Sequence, residues 1–300
     1  MDRSDEEFAH LPSGIDLCHQ TFGDRSDPAV LLVMGLGGPM GWWDVDFCER
    51  LAGHGFFVIR YDNRDTGRST KLRQHRVGRV DLVRAALGVG RAPYSIGDLA
   101  GDALGLLDHL DVDRAHVVGV SMGGMIAQTM AIDAPERVLS LVSIMSTTGR
   151  RTVGFQHPRV LPGLLGSAGH TRDEYVARSL RGTRLIASPA FPTEDAFATA
   201  RAHETYDRGW SASGVSRQLL AILTQPDRTD RLKELDVPAT VVHGLRDPLV
   251  HRSGGRATAA ALRGSEHLEI AGMAHDLPVQ LYDTIIDVVV RTAARATARR

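Results

Sequence analysis

Two hydrophobic patterns alternate along most of the chain. One is the short, almost unbroken apolar run, seen at Ala29 to Met34, Phe56 to Tyr61, Ala115 to Val120, Val138 to Met145 and Ala239 to Leu245. Continuous β-branched runs of this length predict strands covered on both faces, as in a parallel sheet. The other is a helical stripe. Trp43 to His54 carries it at Val45, Phe47, Leu51 and Ala52 and is closed by Gly53 and Gly55, and Ser95 to Leu110 carries it at Ile96, Leu99, Ala103, Leu106, Leu107 and Leu110. Ser95 and Asp98 add a capping-box-like start. Further helices are expected at Met125 to Ala134, stopped by Pro135, at His251 to Arg263 and at Gln280 to Ala296. Ile15 to Phe22 is expected as an edge strand and Glu266 to Ile270 as the last strand. Strands that alternate with helices imply an α/β fold with a mostly parallel central sheet flanked by helices.

The rhythm breaks from Thr147 to about Asp230. No strong strand occurs there, and short helical stretches such as Arg172 to Leu185 and Thr193 to Tyr206 are punctuated by glycine, proline and arginine. The expected organisation is therefore a core in two parts, 1–146 and 231–300, with a helical cap inserted at 147–230. Such a cap would sit over the strand ends, where open α/β sheets bind their ligands. Its arginine surplus is expected on solvated helix faces or opposite an anionic substrate group. Thr70 to Pro93 is a second irregular stretch, in which Lys71, Arg73, Arg76, Arg79, Arg84 and Arg91 alternate with aliphatic residues. That pattern suits a solvated surface helix, a lid over a cleft or a weak contact with a lipid surface.

Composition narrows the class. The net charge of −1 gives no global attraction to nucleic acid. Cys18 and Cys48 have neither metal-site spacing nor the number needed for a disulfide framework, and Met1 to His10 lacks the apolar stretch of a signal peptide, so a cytoplasmic location is expected. No run reaches the roughly 20 apolar residues of a membrane span.

The chemistry centres on Gly119, Ser121 and Gly123, a G-x-S-x-G motif between an expected strand and an expected helix. With 31 glycines in the chain, chance alone supplies about 0.2 such motifs, so the strand-to-helix context carries the weight. A nucleophile elbow needs glycines there because so tight a turn leaves no room for Cβ atoms two residues on either side. A serine also needs a base. Of 13 histidines, His275 alone follows the last expected strand in a glycine-containing loop, whereas His243 lies within a strand and His54, His109 and His267 are expected to be structural. Asp247, ending the preceding strand, is the expected carboxylate partner, with Asp276 as the alternative. The loop Gly35-Leu36-Gly37-Gly38-Pro39 either brings backbone N–H groups to an oxyanion or simply joins a strand to a helix. Asp62 to Ser69 is expected to lock its own turn through side-chain hydrogen bonds. Trp43, Met122, Met145 and Leu249 are expected in the pocket wall, being apolar and near strand ends.

The order Ser121, Asp247, His275, together with Val-Met-Gly-Leu-Gly-Gly at 33–38, Arg-Tyr-Asp-Asn-Arg-Asp-Thr-Gly-Arg-Ser-Thr at 60–70 and Asp-Val-Asp-Arg-Ala-His-Val-Val-Gly at 111–119, resembles the α/β-hydrolase superfamily. Within it the chain is similar to the branch containing aclacinomycin methylesterase and the lipase G-type bacterial carboxylesterases, over about residues 11–290. The resemblance implies a capped α/β-hydrolase fold. It also implies ester hydrolysis through an acyl-enzyme, without cofactor or metal, and an oxyanion hole made by the N–H groups of Leu36 and Met122. One departure is Met34-Gly35, where many relatives have His-Gly. The expected partner is a small-molecule carboxylic ester of lipid type or a methyl ester. Thioester hydrolysis, C–C bond hydrolysis and perhydrolysis on the same side chains are the alternatives, with a non-catalytic ligand-binding hydrolase fold as the reading from another class.

Overall fold

A computed structural model describes residues 2–160 and 171–298; residues 161–170 of the expected cap and the last two of the basic tail lie outside them. Among the described residues, eight strands form one sheet in the order β1-β2-β4-β3-β5-β6-β7-β8. They span Glu7–His10, Asp16–Phe22, Ala29–Val33, Phe57–Tyr61, Ala115–Val120, Val138–Ile144, Ala239–Gly244 and Glu266–Ile270, numbered in chain order. β1 and β2 pair antiparallel and β2 meets β4 antiparallel; every pairing from β4 to β8 is parallel. The expected edge strand β2 is thus one place in from the edge. The four-residue β1 covers it with a single buried apolar side chain, Ala9, too little to form a pattern readable in the sequence.

The continuous apolar runs are explained by two cores, one on each face. Leu31 and Val117 face one side, where α3 (Ile96–His109) and α4 (Met122–Asp133) contribute Leu99, Leu106, Met125 and Ile126. Val30, Leu32 and Val118 face the other, against Phe47 and Leu51 of α1 (Val45–Ala52) and Ile285 and Val289 of α10 (Tyr282–Thr297). Side chains alternate across a strand, so a strand buried on both faces has no polar positions to spare. α3 begins at the expected capping box: the Ser95 hydroxyl accepts from the Asp98 N–H, and the Asp98 carboxylate accepts from the Ser95 N–H.

Winding direction fixes where the site lies. From β3 the chain crosses to β4 on one side, and from β5 it proceeds to β6 on the other, with β3 and β5 paired side by side. The carboxyl ends of β3 and β5 therefore flank a topological switch point, the place where open α/β sheets hold ligands. Among the described residues between β6 and β7 come four α-helices, α5 (Arg172–Ile186), α6 (Asp195–Asp207), α7 (Ala212–Thr224) and α8 (Thr229–Lys233). The sequence pattern exposed only the first two. α9 (Ser253–Ala261) joins β7 to β8. Among the described residues, no helix is long and apolar enough to cross a membrane.

Candidate active site

At the end of β5 the backbone of Ser121 takes φ 57°, ψ −119°, a conformation that costs an L-residue of order 1–3 kcal/mol and persists only where its surroundings impose it. The surroundings are backbone. A Cβ on Gly119 would stand 2.2 Å from the Gly123 carbonyl oxygen, and one on Gly123 would stand 2.0 Å from the Val33 carbonyl oxygen. Both glycines are thus required by sterics, for the reason the motif suggested. The Ser121 N–H donates to the Ile144 carbonyl (2.9 Å), and its own carbonyl accepts from the Ser146 hydroxyl (2.8 Å).

The loops after β8 and β7 bring in the histidine and the acid. Oγ of Ser121 lies 3.0 Å from Nε2 of His275, and Nδ1 of His275 lies 2.7 Å from Oδ2 of Asp247. A carboxylate only accepts, so Nδ1 carries the proton and Nε2 is left to accept from the serine. The other oxygen of Asp247 accepts from the N–H groups of Leu249 and Val250, each at 2.8 Å. Burial pushes the Asp247 carboxyl up, but the positive charge available on His275 and hydrogen bonds from His243 and His275 outweigh it. The group is held well below the usual carboxylate range. Asp276 is engaged elsewhere: its Oδ1 accepts from the Ser188 N–H (3.0 Å) and from the Ser188 hydroxyl. His243 is fully buried in β7, with Nε2 2.8 Å from the Val250 carbonyl, which matches the core role expected of it.

The glycine-rich loop after β3 lies against the serine. A Cβ on Gly35 would come within 3.1 Å of Ser121 Cβ and of the Val120 carbonyl oxygen, so a side chain there would have to push its neighbours back by a few tenths of an ångström. Leu36 follows it, and Met122 opens α4, where a first-turn N–H has no intrahelical acceptor. The loop is braced from outside the core: the Gly37 N–H donates to Oε1 of Gln218 on α7 (2.8 Å), while Nε2 of Gln218 donates to the Arg64 carbonyl and the Thr66 hydroxyl.

A cavity of about 620 Å³ opens over Ser121 and His275. Its wall includes Met34, Leu36, Trp42, Met145, Phe197 and Leu249, with Arg201, Glu194 and Asp276 among the charged residues. Met145 and Leu249 stand where the sequence placed them. Trp43 does not: it is fully buried beneath the site, its ring 5.2 Å from that of Phe47, and its neighbour Trp42 lines the cavity instead. The two tryptophans sit at the end of a short 3₁₀ turn, Met40–Trp42, where adjacent side chains diverge and no apolar period tells which points inward. Met122 is corrected in the same way, its side chain being buried in the core on the α3 and α4 face.

The family model described as alpha/beta hydrolase fold matches residues 28–280. The chain belongs to the α/β-hydrolase family. Among curated members, rhodomycin D methylesterase DauP of Streptomyces sp. (strain C5) is 30% identical, covering 94% of this chain and 96% of its own length. 3-Oxoadipate enol-lactonase 2 of Acinetobacter baylyi is 26% identical over 92% and 94% of the two chains. Of the solved structures, the enol-lactonase of Burkholderia xenovorans superposes with a TM-score of 0.73 at 23% identity, covering 96% of this hydrolase and all of that chain.

Two features of this hydrolase were hidden from the sequence. The turn after α5 lies on the histidine loop: the His275 N–H donates to the Ile186 carbonyl (3.0 Å) and the Ala274 N–H to the Ser188 hydroxyl (2.8 Å). Two arginines of the segment between β6 and β7, Arg208 and Arg217, are also spent inward. Arg217 grips Asp65 through two hydrogen bonds of 2.6 and 2.7 Å with both side chains fully buried. Arg208 pairs with Asp62 at 2.8 Å and also with Glu6. The Asp62 to Ser69 loop thus locks its own turn, as expected, through Asp62 accepting from Arg68 N–H and the Ser69 hydroxyl donating to the Asp62 carbonyl. It also anchors two helices that lie more than a hundred residues away in sequence.

Proposed function

We propose that this hydrolase cleaves carboxylic esters by acylation of Ser121, with His275 as general base and then general acid, and Asp247 holding the imidazole. The hydrogen-bonded line Ser121 Oγ, His275 Nε2 and Nδ1, Asp247 Oδ2 carries this reading, because it supplies a weak nucleophile with the base it needs. The hydroxyl attacks the ester carbonyl as His275 takes its proton. Negative charge then develops on the carbonyl oxygen and is held by the N–H groups of Leu36 and Met122, and by analogy with donors removed elsewhere each is worth about 3 kcal/mol. His275 returns the proton to the leaving alcohol. Water, activated by the same imidazole, then releases the acid.

The substrate class is a methyl ester or another small ester with an apolar acyl part. The names of the full-length relatives, a methylesterase and an enol-lactonase, support ester chemistry, and the apolar cavity wall supports the acyl preference. In this reading the segment 147–230 is a cap: its α6 contributes Phe197 and Arg201 to the cavity, and its α7 braces the oxyanion loop.

The test combines labelling and turnover. A fluorophosphonate should modify Ser121 alone, and Ser121→Ala should lose both the label and about five orders of magnitude in kcat on p-nitrophenyl esters. Methanol release from methyl esters, measured beside acyl-CoA cleavage, resolves the alcohol side. A protein that takes no label and turns over no ester would overturn the proposal.

A further inference from the structure

Eight large apolar side chains are exposed among the described residues, and four of them, Val80, Val83, Leu87 and Val89, fall within ten positions. Three belong to α2 (Arg79–Ala86) and its C-cap, Leu87. At 100° per residue Val80, Val83 and Leu87 lie within about 60° of one another, so they form a single ridge. The opposite side of the same helix carries Ala85, which is fully buried, and it is this side that packs toward the rest of the protein. An ordinary surface helix shows one apolar face and one polar face. α2 has two apolar faces, and among the described residues the outer one is exposed.

The end of the helix enlarges the ridge. The Gly88 N–H donates to the Ala85 carbonyl (2.9 Å) and the Val89 N–H to the Arg84 carbonyl (3.0 Å), with Gly88 at φ 86°. This is a Schellman motif, which folds the residue after the glycine back toward the last turn of the helix. Arg151 closes the remaining carbonyls of Ala85 and Ala86 at 3.2 Å. Below, Arg217 Nη1 donates to the His75 carbonyl (2.8 Å), which fixes the approach to α2.

Charge identifies what the ridge faces. Residues 71–91 hold six basic side chains and one acid, Asp81, in a chain whose net charge is −1. Lys71 turns inward onto the Gly67 carbonyl. Arg73, Arg76, Arg79, Arg84 and Arg91 are exposed, and among the described residues none of them pairs with an acid. A second copy of this surface would set like charges against like, which disfavours self-association. An aliphatic ridge rimmed by guanidinium groups matches the boundary between phosphate headgroups and acyl chains, where the ridge inserts and the arginines meet phosphate.

We propose that α2 and its C-terminal turn dock this hydrolase on anionic lipid bilayers, through Val80, Val83, Leu87 and Val89 inserted among the acyl chains and the surrounding arginines on phosphate. The contact is peripheral and reversible. It lies outside the cavity, so it stands or falls independently of the ester chemistry.

Sedimentation with vesicles of phosphatidylcholine alone, and with about 30 mol% phosphatidylglycerol added, tests the proposal on the full chain. The protein should pellet with the anionic vesicles, release as salt is raised, and remain in solution with the neutral ones. Arg79→Glu with Arg84→Glu should weaken binding by at least about 25-fold, fivefold for each arginine. Val83→Ser with Leu87→Ser should weaken it about tenfold or more. Both variants change exposed positions, so each should keep the wild-type melting temperature and its rate on a dissolved ester; the two sets share no side chain, and a folding defect in one leaves the other as the test. Failure to bind anionic vesicles, equal binding to neutral ones, or binding unchanged in both variants would overturn it. Capture by soluble polyglutamate without vesicle binding would do so too, and would point to an acidic protein instead.

Discussion

The strand-end loops and the helices between β6 and β7 meet at one cavity but are held there by different forces. Around Ser121 the constraint is steric and short in sequence: Gly119 and Gly123 sit where a Cβ would strike backbone at 2.2 and 2.0 Å. The helical segment is tied down by polar groups that are distant in sequence, Arg217 to Asp65, Arg208 to Asp62 and Gln218 to the Gly37 N–H. Backbone clashes admit essentially one geometry. Buried charge pairs admit any arrangement that satisfies them, but removing one partner strands the other in a low-dielectric interior. The position of Ser121 is therefore built into the core, while the shape of the pocket above it depends on long-range pairing.

That contrast can be broken most directly at the acid. Asp247→Asn should lower kcat by about 10⁴-fold in the molecules that fold, whereas Asp276→Asn should stay within about tenfold of wild type. Similar losses in both would mean that the carboxylate does not come from the loop after β7. Arg217→Ala should do the reverse, destabilising the fold by about 3–5 kcal/mol through the stranded Asp65 while folded molecules retain most of their kcat. Urea unfolding and active-site titration together measure it, and unchanged stability would show that the pair is not what anchors the segment. Gln218→Leu connects the two regions. With the Gly37 N–H left unpaired, kcat should fall about tenfold and stability by about 1–3 kcal/mol, as the loop carrying Leu36 loses its brace. The smallest effect concerns pH. Asp247 has its folded value held below its ordinary 3.8, so its stabilising contribution is fully present above roughly pH 4 and is lost as pH falls through the depressed value. The stability difference between wild type and Asp247→Asn should be flat from roughly pH 5 to 7 and shrink below about pH 4. A difference that grew on acidification would reverse the sign of that linkage.

The sequence was legible wherever a local rule governs. Continuous apolar runs announced the sheet because each central strand is covered on both faces, and the elbow glycines announced the turn because their constraint lies within five residues. His275 and Asp247 could be picked out because both follow expected strands that end on one edge. Trp43 was misplaced because adjacent residues on a 3₁₀ turn point apart, and β1 escaped notice because it buries a single apolar side chain. The arginines of residues 150–231 were expected in solvent or on a substrate. Arg208 and Arg217 lie buried against Asp62 and Asp65, carboxylates more than 140 positions away.

By itself, then, the amino-acid order determined the α/β alternation, the tight turn at Ser121 and the strand-end loops in which His275 and Asp247 lie, since each follows from sterics and periodicity over a few residues. Only the tertiary structure decided which tryptophan faces the cavity, which aspartate meets His275, and that α7 holds the glycine-rich loop after β3. It alone also showed that α2 leaves an apolar ridge in solvent. Those outcomes depend on which distant groups come within hydrogen-bonding or packing distance, and that is fixed by the completed fold.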